Sequence, residues 1–550
     1  MLKTYIFLGS YIICAFALNG CKQNEDRSNE NEDPKNTLPV SQQENISDQI
    51  ASDTPKLQDQ IYDQNRLEDL TIELTISPAA EPIPALKYEL MPRFADQTPG
   101  NAADIYQQAF AMMAQVVEKH KPHDPNLVSQ FENNLYELQK APLTDENKIL
   151  FTQTLDAVQD VLDLIEQGSH CEICDWQIPL RSNDVKRTFL NKFTRRVGMA
   201  LAVKAHFQIE NKQFGQAIET LKTGLTYSHH IACSGETFGM IVAIDISRMM
   251  LAQVEFLINS PDCPNLYWAL SNLPVPFIDR QTALRYERDK LYIMFPVLRQ
   301  IEKQKLTEKD ASNLFLTLAI TSMNRDNDYK SKPFRENEEQ IIIQKLYRPA
   351  VSFLKDQGYS EQQIMSYAPV HAILIHQLHD LDNILDSFYK WSAKPGQQAY
   401  QGSETAFENL QVKQKPMHNI LEDRNFGQLW LNMMDDFGTL QFDPERHQSL
   451  AHFITAELMG IGRFHQLTTR VNQKIAALQC VEAIRIHAAE HNILPPTLED
   501  ITSVPVPIDP MTHSKFLYQL DNGIAILTSS ANPISEYPDY LLRYEIKLRN

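Results

Sequence analysis

Apolar positions recur at three- and four-residue spacing through most of this chain, over residues 131–138, 149–165, 185–209, 214–231, 238–258, 280–303, 338–354, 361–391 and 471–491. That period places the apolar side chains of each segment on one face, so each is predicted to be an amphipathic helix burying a stripe against its neighbours. The connections are short, which favours helical hairpins packed on one another. After residue 491 the pattern changes. Leu494-Pro495-Pro496 stops the last helix, residues 504–510 form a proline-rich turn, and the apolar runs 516–518 and 524–527 flank Asp521-Asn522-Gly523, a hairpin signal. Residues 540–546 supply a further strand. The predicted fold class is mainly α: a body of irregular helical hairpins over 71–465, then a unit over 466–550 with a long helix and a small antiparallel sheet containing a β-hairpin.

Residues 22–70 obey neither period. They run through Asn, Glu, Asp, Gln, Ser and Pro, bury too little to offset the entropy of ordering, and are expected to form a disordered acidic tether over 21–70. Residues 70–76 then alternate as a strand does, and Pro78, Pro82, Pro84 and Pro92 impose an extended path, suiting an edge strand or a surface arm. Asn101 is placed to cap a helix, with Asp104 as its first-turn acid.

Composition sharpens this picture in three ways. The chain has 550 residues, 43% of them hydrophobic, and 17 glycines against 30 prolines, which suits long helices with sharp stops in about two to four packing units. A net charge of -19 without a Lys/Arg cluster argues against nucleic acid as a partner. It also gains nothing from an anionic membrane surface, so any membrane attachment must come from elsewhere.

Such an attachment is written at the start. Lys3, an apolar run over 6–18 and Leu18-Asn19-Gly20-Cys21 resemble a bacterial lipoprotein signal over 1–20. The resemblance implies that Cys21 is lipidated, that the chain's membrane partner is reached through this anchor, and that the body faces the periplasm or exterior of the cell envelope. Three further stretches, Ala85-Leu86-Lys87-Tyr88, Gln97-Thr98-Pro99-Gly100-Asn101-Ala102-Ala103 and Pro264-Asn265-Leu266-Tyr267-Trp268-Ala269-Leu270, together with the tail, resemble a family of large envelope proteins from planctomycete-type bacteria. That resemblance covers most of 80–530 and implies no particular activity. The tail, through Ala483-Ile484-Arg485, Leu494-Pro495-Pro496 and Pro507-Ile508-Asp509-Pro510, resembles the globular end of type II secretion pseudopilins, although its helix is too polar for a membrane stem. Between Arg195 and Ser228, the small residues Ala200, Ala202 and Ala205 with Phe214, Ala217 and Leu221 resemble one tetratricopeptide unit, and equally suit any tight helix pair.

Candidate chemistry is sparse. Cys171 and Cys174 have redox or half-zinc spacing and are read as a candidate disulfide, within the pair or to Cys233 or Cys263. His376, His379 and Asp380, with His371 and Asp382, crowd one helix as candidate metal ligands or as a solvated face. His487 and His491 bracket Glu490 in an inverted-zincin pattern, with a half-buried core role for His487 as the competing reading. Ser387 with Lys390, and Lys222-Thr223-Gly224, mimic penicillin-recognising motifs in the wrong order. Tyr267 and Trp268 are candidate partner-binding residues or an aromatic plug between helices. No phosphate loop, dinucleotide fingerprint or nucleophile elbow occurs, and no cofactor is expected. The expected function is a non-catalytic, protein-binding or scaffolding role among envelope proteins. The alternatives are a periplasmic hydrolase or binding protein for cell-wall or nutrient fragments, and an adaptor to a secretion or pilin-like assembly.

Overall fold

Strands from opposite ends of the described chain lie side by side. In the computed structural model, which describes residues 71–120, 130–176, 192–235, 237–323, 338–409, 461–529 and 542–549, β1 (Thr71–Ile76) is the first described element. The signal, Cys21 and the tether lie outside the described residues. There follow β2 (Thr98–Asn101), α1 (Ala102–Lys119), α2 (Gln130–Leu138), α3 (Lys148–Asp156), α4 (Gln159–Ser169), β3 (Cys171–Ile173), α5 (Lys192–Glu210), α6 (Phe214–Ala232), α7 (Thr237–Ile258), α8 (Tyr267–Ser271) and α9 (Arg280–Met294). Then come α10 (Glu308–Met323), α11 (Glu338–Asp356), α12 (Glu361–Met365), α13 (Pro369–Tyr389), α14 (Gly396–Asn409) and α15 (Ile461–His491). The tail adds β4 (Ile508–Asp509), β5 (Ser514–Lys515), β6 (Leu517–Asp521), β7 (Ile524–Thr528) and β8 (Arg543–Leu548).

The fold is mainly helical with a small C-terminal sheet, as the hydrophobic period predicts. Asn101 caps α1 by accepting the Ala103 N–H at 3.3 Å. Two helices are shorter than their apolar pattern, and each is cut by a proline. The 280–303 segment ends at Met294 before Pro296, and 361–391 divides into α12 and α13 at Pro369, where Ala368 is forced into an extended conformation (φ -60°, ψ 146°). The 149–165 segment divides at Val158, whose side chain is fully buried, without a proline or glycine to mark the break.

The sheet departs from expectation. It has four strands in the order β1-β8-β7-β6, and it is mixed: β8–β7 and β7–β6 are antiparallel, whereas β1 runs parallel to β8 from Thr71 opposite Arg543 to Ile76 opposite Leu548. The hairpin turn is as read, with Asn522 (φ 48°) and Gly523 (φ 78°) supplying the two left-handed residues that a tight β6–β7 connection requires.

Two apolar cores organise the helices. The first spans Leu74 to Ala283 and resumes from Val471 to Ile546, while the second uses Leu284 to Ala406. The chain therefore leaves the first core along α9, builds a second one, and returns with α15. In the first core α5, α6 and α7 pack mutually, the third helix lying against both members of the tetratricopeptide-like pair. Ala200, Ala202, Ala205, Ala217 and Leu221 are fully buried, and a Cβ at Gly224 would overlap Met250.

Among the described residues, Arg485 on α15 is the largest fully buried side chain. Its Nη1 meets both carboxylate oxygens of equally buried Glu482, at 3.1 and 2.9 Å. Nε donates to Ser77 O at 3.0 Å, Nη1 to Pro264 O at 3.3 Å, and Nη2 to Cys263 O at 2.8 Å. The Arg485 carbonyl accepts from Ala79 N at 3.1 Å. Removing one member of such a pair strands the other's charge in the core, a loss of about 3–5 kcal/mol. Arg485→Met should therefore lower the urea midpoint strongly, and adding Glu482→Gln should recover part of the loss; chemical denaturation followed by circular dichroism checks both.

Candidate functional site

The segment leaving β1 is an arm held at one end and open at the other. Ser77 and Ala79 are bonded to Arg485, Asn265 Nδ2 donates to Ala79 O at 3.4 Å, and Trp268 Nε1 donates to Glu81 Oε1 at 2.6 Å. Leu90 is buried, and Thr226 Oγ1 lies 3.6 Å from Met91 Sδ. Between these anchors Lys87 N donates to Pro84 O at 2.9 Å, and Arg93 bonds both Glu89 Oε2 at 2.6 Å and Leu86 O at 2.8 Å.

Three large apolar side chains stay almost wholly in water on this arm and on the loop after α8, and Leu86 on the arm is partly exposed. Ile83 is 92% exposed, Phe94 93% and Val275 89%. Ile83 sits between Pro82 and Pro84 and Val275 between Pro274 and Pro276, and in both cases the bond into the second proline is cis. The prolines restrict the backbone on each side, so both side chains are displayed by stiff loops. The Asn265 and Trp268 bonds tie the arm to the stretch that opens the second loop.

Tyr267 is buried, donates its hydroxyl to Pro505 O and meets Trp268 edge-on at 5.0 Å. It acts as a plug, while Trp268 is half-buried and holds the arm. The exposed Ile83, Phe94 and Val275 were not among the residues singled out from sequence. For Ile83 and Val275 the signal is an apolar residue framed by prolines, outside any helical period.

No family model matches this chain, and neither a curated protein nor a solved structure matches it. The site must be read from its own geometry.

The histidine cluster on α13 divides between carboxylates. His376 Nε2 lies 3.6 Å from Asp380 Oδ2, while His379 Nε2 reaches across to Glu302 Oε1 at 2.7 Å. Phe353 packs on both rings, at 4.6 and 5.1 Å. Asp382 accepts from Tyr292 at 2.6 Å, and His371, fully buried, bonds Ile301 O at 2.7 Å. Among the described residues, no group of three or more His, Cys, Asp or Glu side chains is placed to hold a metal ion.

His487 and His491 stack at 4.2 Å, with His487 almost wholly buried. Ser387 donates to Ile384 O within its own helix at 2.7 Å, and Lys222 pairs with Glu219 on α6 beside buried Thr223, so the penicillin-like motifs do not meet as a site. A cleft of about 450 Å³ opens beside β2 and is lined by Thr98, Asp163, Glu166, Gln167 and His170.

All five described cysteines are free thiols. Cys171 to Ile173 form β3, and an extended chain carries Cα atoms three residues apart to about 10 Å, beyond the reach of about 7 Å that a disulfide tolerates. In this structure Cys171 and Cys174 are not bonded to each other.

Several histidines are held neutral inside the protein. Burial, with the neighbouring His229 as a lesser cause, pushes His230 down to about 4, and burial pushes His465 to about 3. The unfolded chain takes these protons near pH 6.5, so between about 6.5 and 4 it binds more protons than the folded one. Stability should be full above this window and fall within it on acidification. The urea midpoint is therefore expected to be lower at about pH 5 than at about pH 7.5, and His230→Gln should shrink that difference.

Proposed function

We propose that this chain is a lipid-anchored cell-envelope protein whose body binds another envelope protein without catalysing a reaction. The observation that supports this reading is the display of Ile83 and Val275 between prolines, and of Phe94 on the same arm as Ile83, on segments pinned to the first core. Large apolar side chains held in water by stiff backbone lose little entropy when a partner covers them, which is how anchor residues gain affinity. A lipid at Cys21, with residues 21–70 as the tether, would confine the body near the membrane and raise its effective concentration toward membrane partners. Among the described residues no helix is long and apolar enough to cross a membrane.

A second reading, a binding protein or hydrolase for cell-wall or nutrient fragments, draws on the cleft lined by Asp163, Glu166 and His170. It places the working surface on α4 and not on the arm.

Crosslinking in intact cells, followed by purification from native membranes, separates the two. The wild-type chain is expected to retain a stoichiometric partner, and an Ile83→Ser/Phe94→Ser variant with an unchanged unfolding midpoint should lose at least about tenfold of it. Cys21→Ala should release the protein from the membrane fraction. Equal crosslinking by the arm variant would overturn the arm as the docking site.

A further inference from the structure

Of the five described cysteines, three are buried. Cys263 Sγ accepts from Arg485 Nη2 at 3.0 Å, Cys480 is fully buried with its thiol toward Pro507 O at 3.8 Å, and Cys171 is buried with its thiol toward Gln167 O at 3.8 Å. Cys174 and Cys233 remain.

Cys174 is positioned from both sides. Asn101 clamps the next residue, accepting from Asp175 N and donating to Asp175 O, both at 2.8 Å, and Trp176 Nε1 donates to His230 O at 2.8 Å. The Cys174 thiol itself points at that same His230 carbonyl, 3.8 Å away. His230 stands in the last turn of α6, and Cys233, three residues on, is the cap of that helix. Residues three apart on a helix lie on one face, so Cys233 shares the turn that Cys174 abuts. Burial pushes the Cys174 thiol up, and the neighbouring Cys233 and Cys171 push it further.

We infer that Cys174 and Cys233 form a disulfide that fastens the loop after β3 to the end of α6. The steps follow from exposure, since Cys233 is exposed and Cys174 half-buried. The Cys233 thiolate attacks a small disulfide oxidant such as oxidised glutathione, breaking its S–S bond, releasing one glutathione thiolate and leaving a mixed disulfide on Cys233. The Cys174 thiolate then attacks the Cys233 sulfur and expels the second glutathione. Two protein thiols are oxidised, one external disulfide is reduced, and the two thiol protons pass to the released glutathione thiolates.

The test uses the purified full chain, reduced and then exposed to oxidised glutathione, trapped with iodoacetamide and mapped by peptide mass spectrometry. This holds whether or not the envelope reading is correct. The expected result is one cross-linked peptide joining Cys174 to Cys233, with Cys171, Cys263 and Cys480 alkylated. Cys174→Ser should stop the reaction at the Cys233–glutathione mixed disulfide, and reduction should lower the thermal midpoint of the wild type but not of the Cys174→Ser/Cys233→Ser chain. A wild type that retains glutathione on Cys233 with Cys174 alkylated, or that links Cys174 to another cysteine, would overturn the inference.

Discussion

A guanidinium wholly removed from water dictates how the first core is assembled. Arg485 is tolerated there because its N–H groups are met by a carboxylate and by three backbone carbonyls, and because Glu482 is one helical turn away. Apolar packing alone is permissive about orientation, whereas this fork accepts its partners in one geometry. It joins the exit of β1, the loop between α7 and α8, and the C-terminal third of α15. The direction in which the arm leaves the body follows from the bonds at Ser77 and Ala79.

A second polar set extends the same logic to the sheet. Tyr544 of β8 donates to Glu255 of α7 at 2.5 Å, and Lys474 of α15 meets the other carboxylate oxygen at 3.0 Å. Asn259, at the end of α7, accepts from Thr75 N at 2.7 Å and receives Arg549 on its carbonyl at 2.8 Å. Strands, α7 and α15 are thereby registered by hydrogen bonds whose loss would leave buried groups unpaired. The sheet is not an appendage, since its core-facing residues Leu74, Ile76, Ala525, Leu527, Tyr544 and Ile546 belong to the same apolar cluster as the helices.

This arrangement bears on the proposed role. A surface that binds must resist collapse onto its own body, and the arm does so by being tied at Ser77, Ala79, Glu81 and Leu90 while prolines hold the intervening turns open. The second core, joined through α9 and α14, lies in the part of the chain between these ties and α15.

Most of the helices, the stop at Leu494-Pro495-Pro496, the capping of α1 by Asn101 and the Asn522-Gly523 hairpin were legible in the sequence, because each depends on side chains within a few residues of one another. Pro369 and Pro296 were as plain in the sequence as the breaks they cause, but the apolar stripe on both sides masked them. Arg485 and Glu482 were visible as charges in an otherwise apolar run, yet their partners, Ser77, Cys263 and Pro264, lie far away in the chain. The same holds for β1 beside β8. Spacing along the chain cannot say whether a segment is extended, nor which strand edge it meets. Only the tertiary structure decided these points, since pairing across long separations is selected by which buried polar groups can be satisfied together.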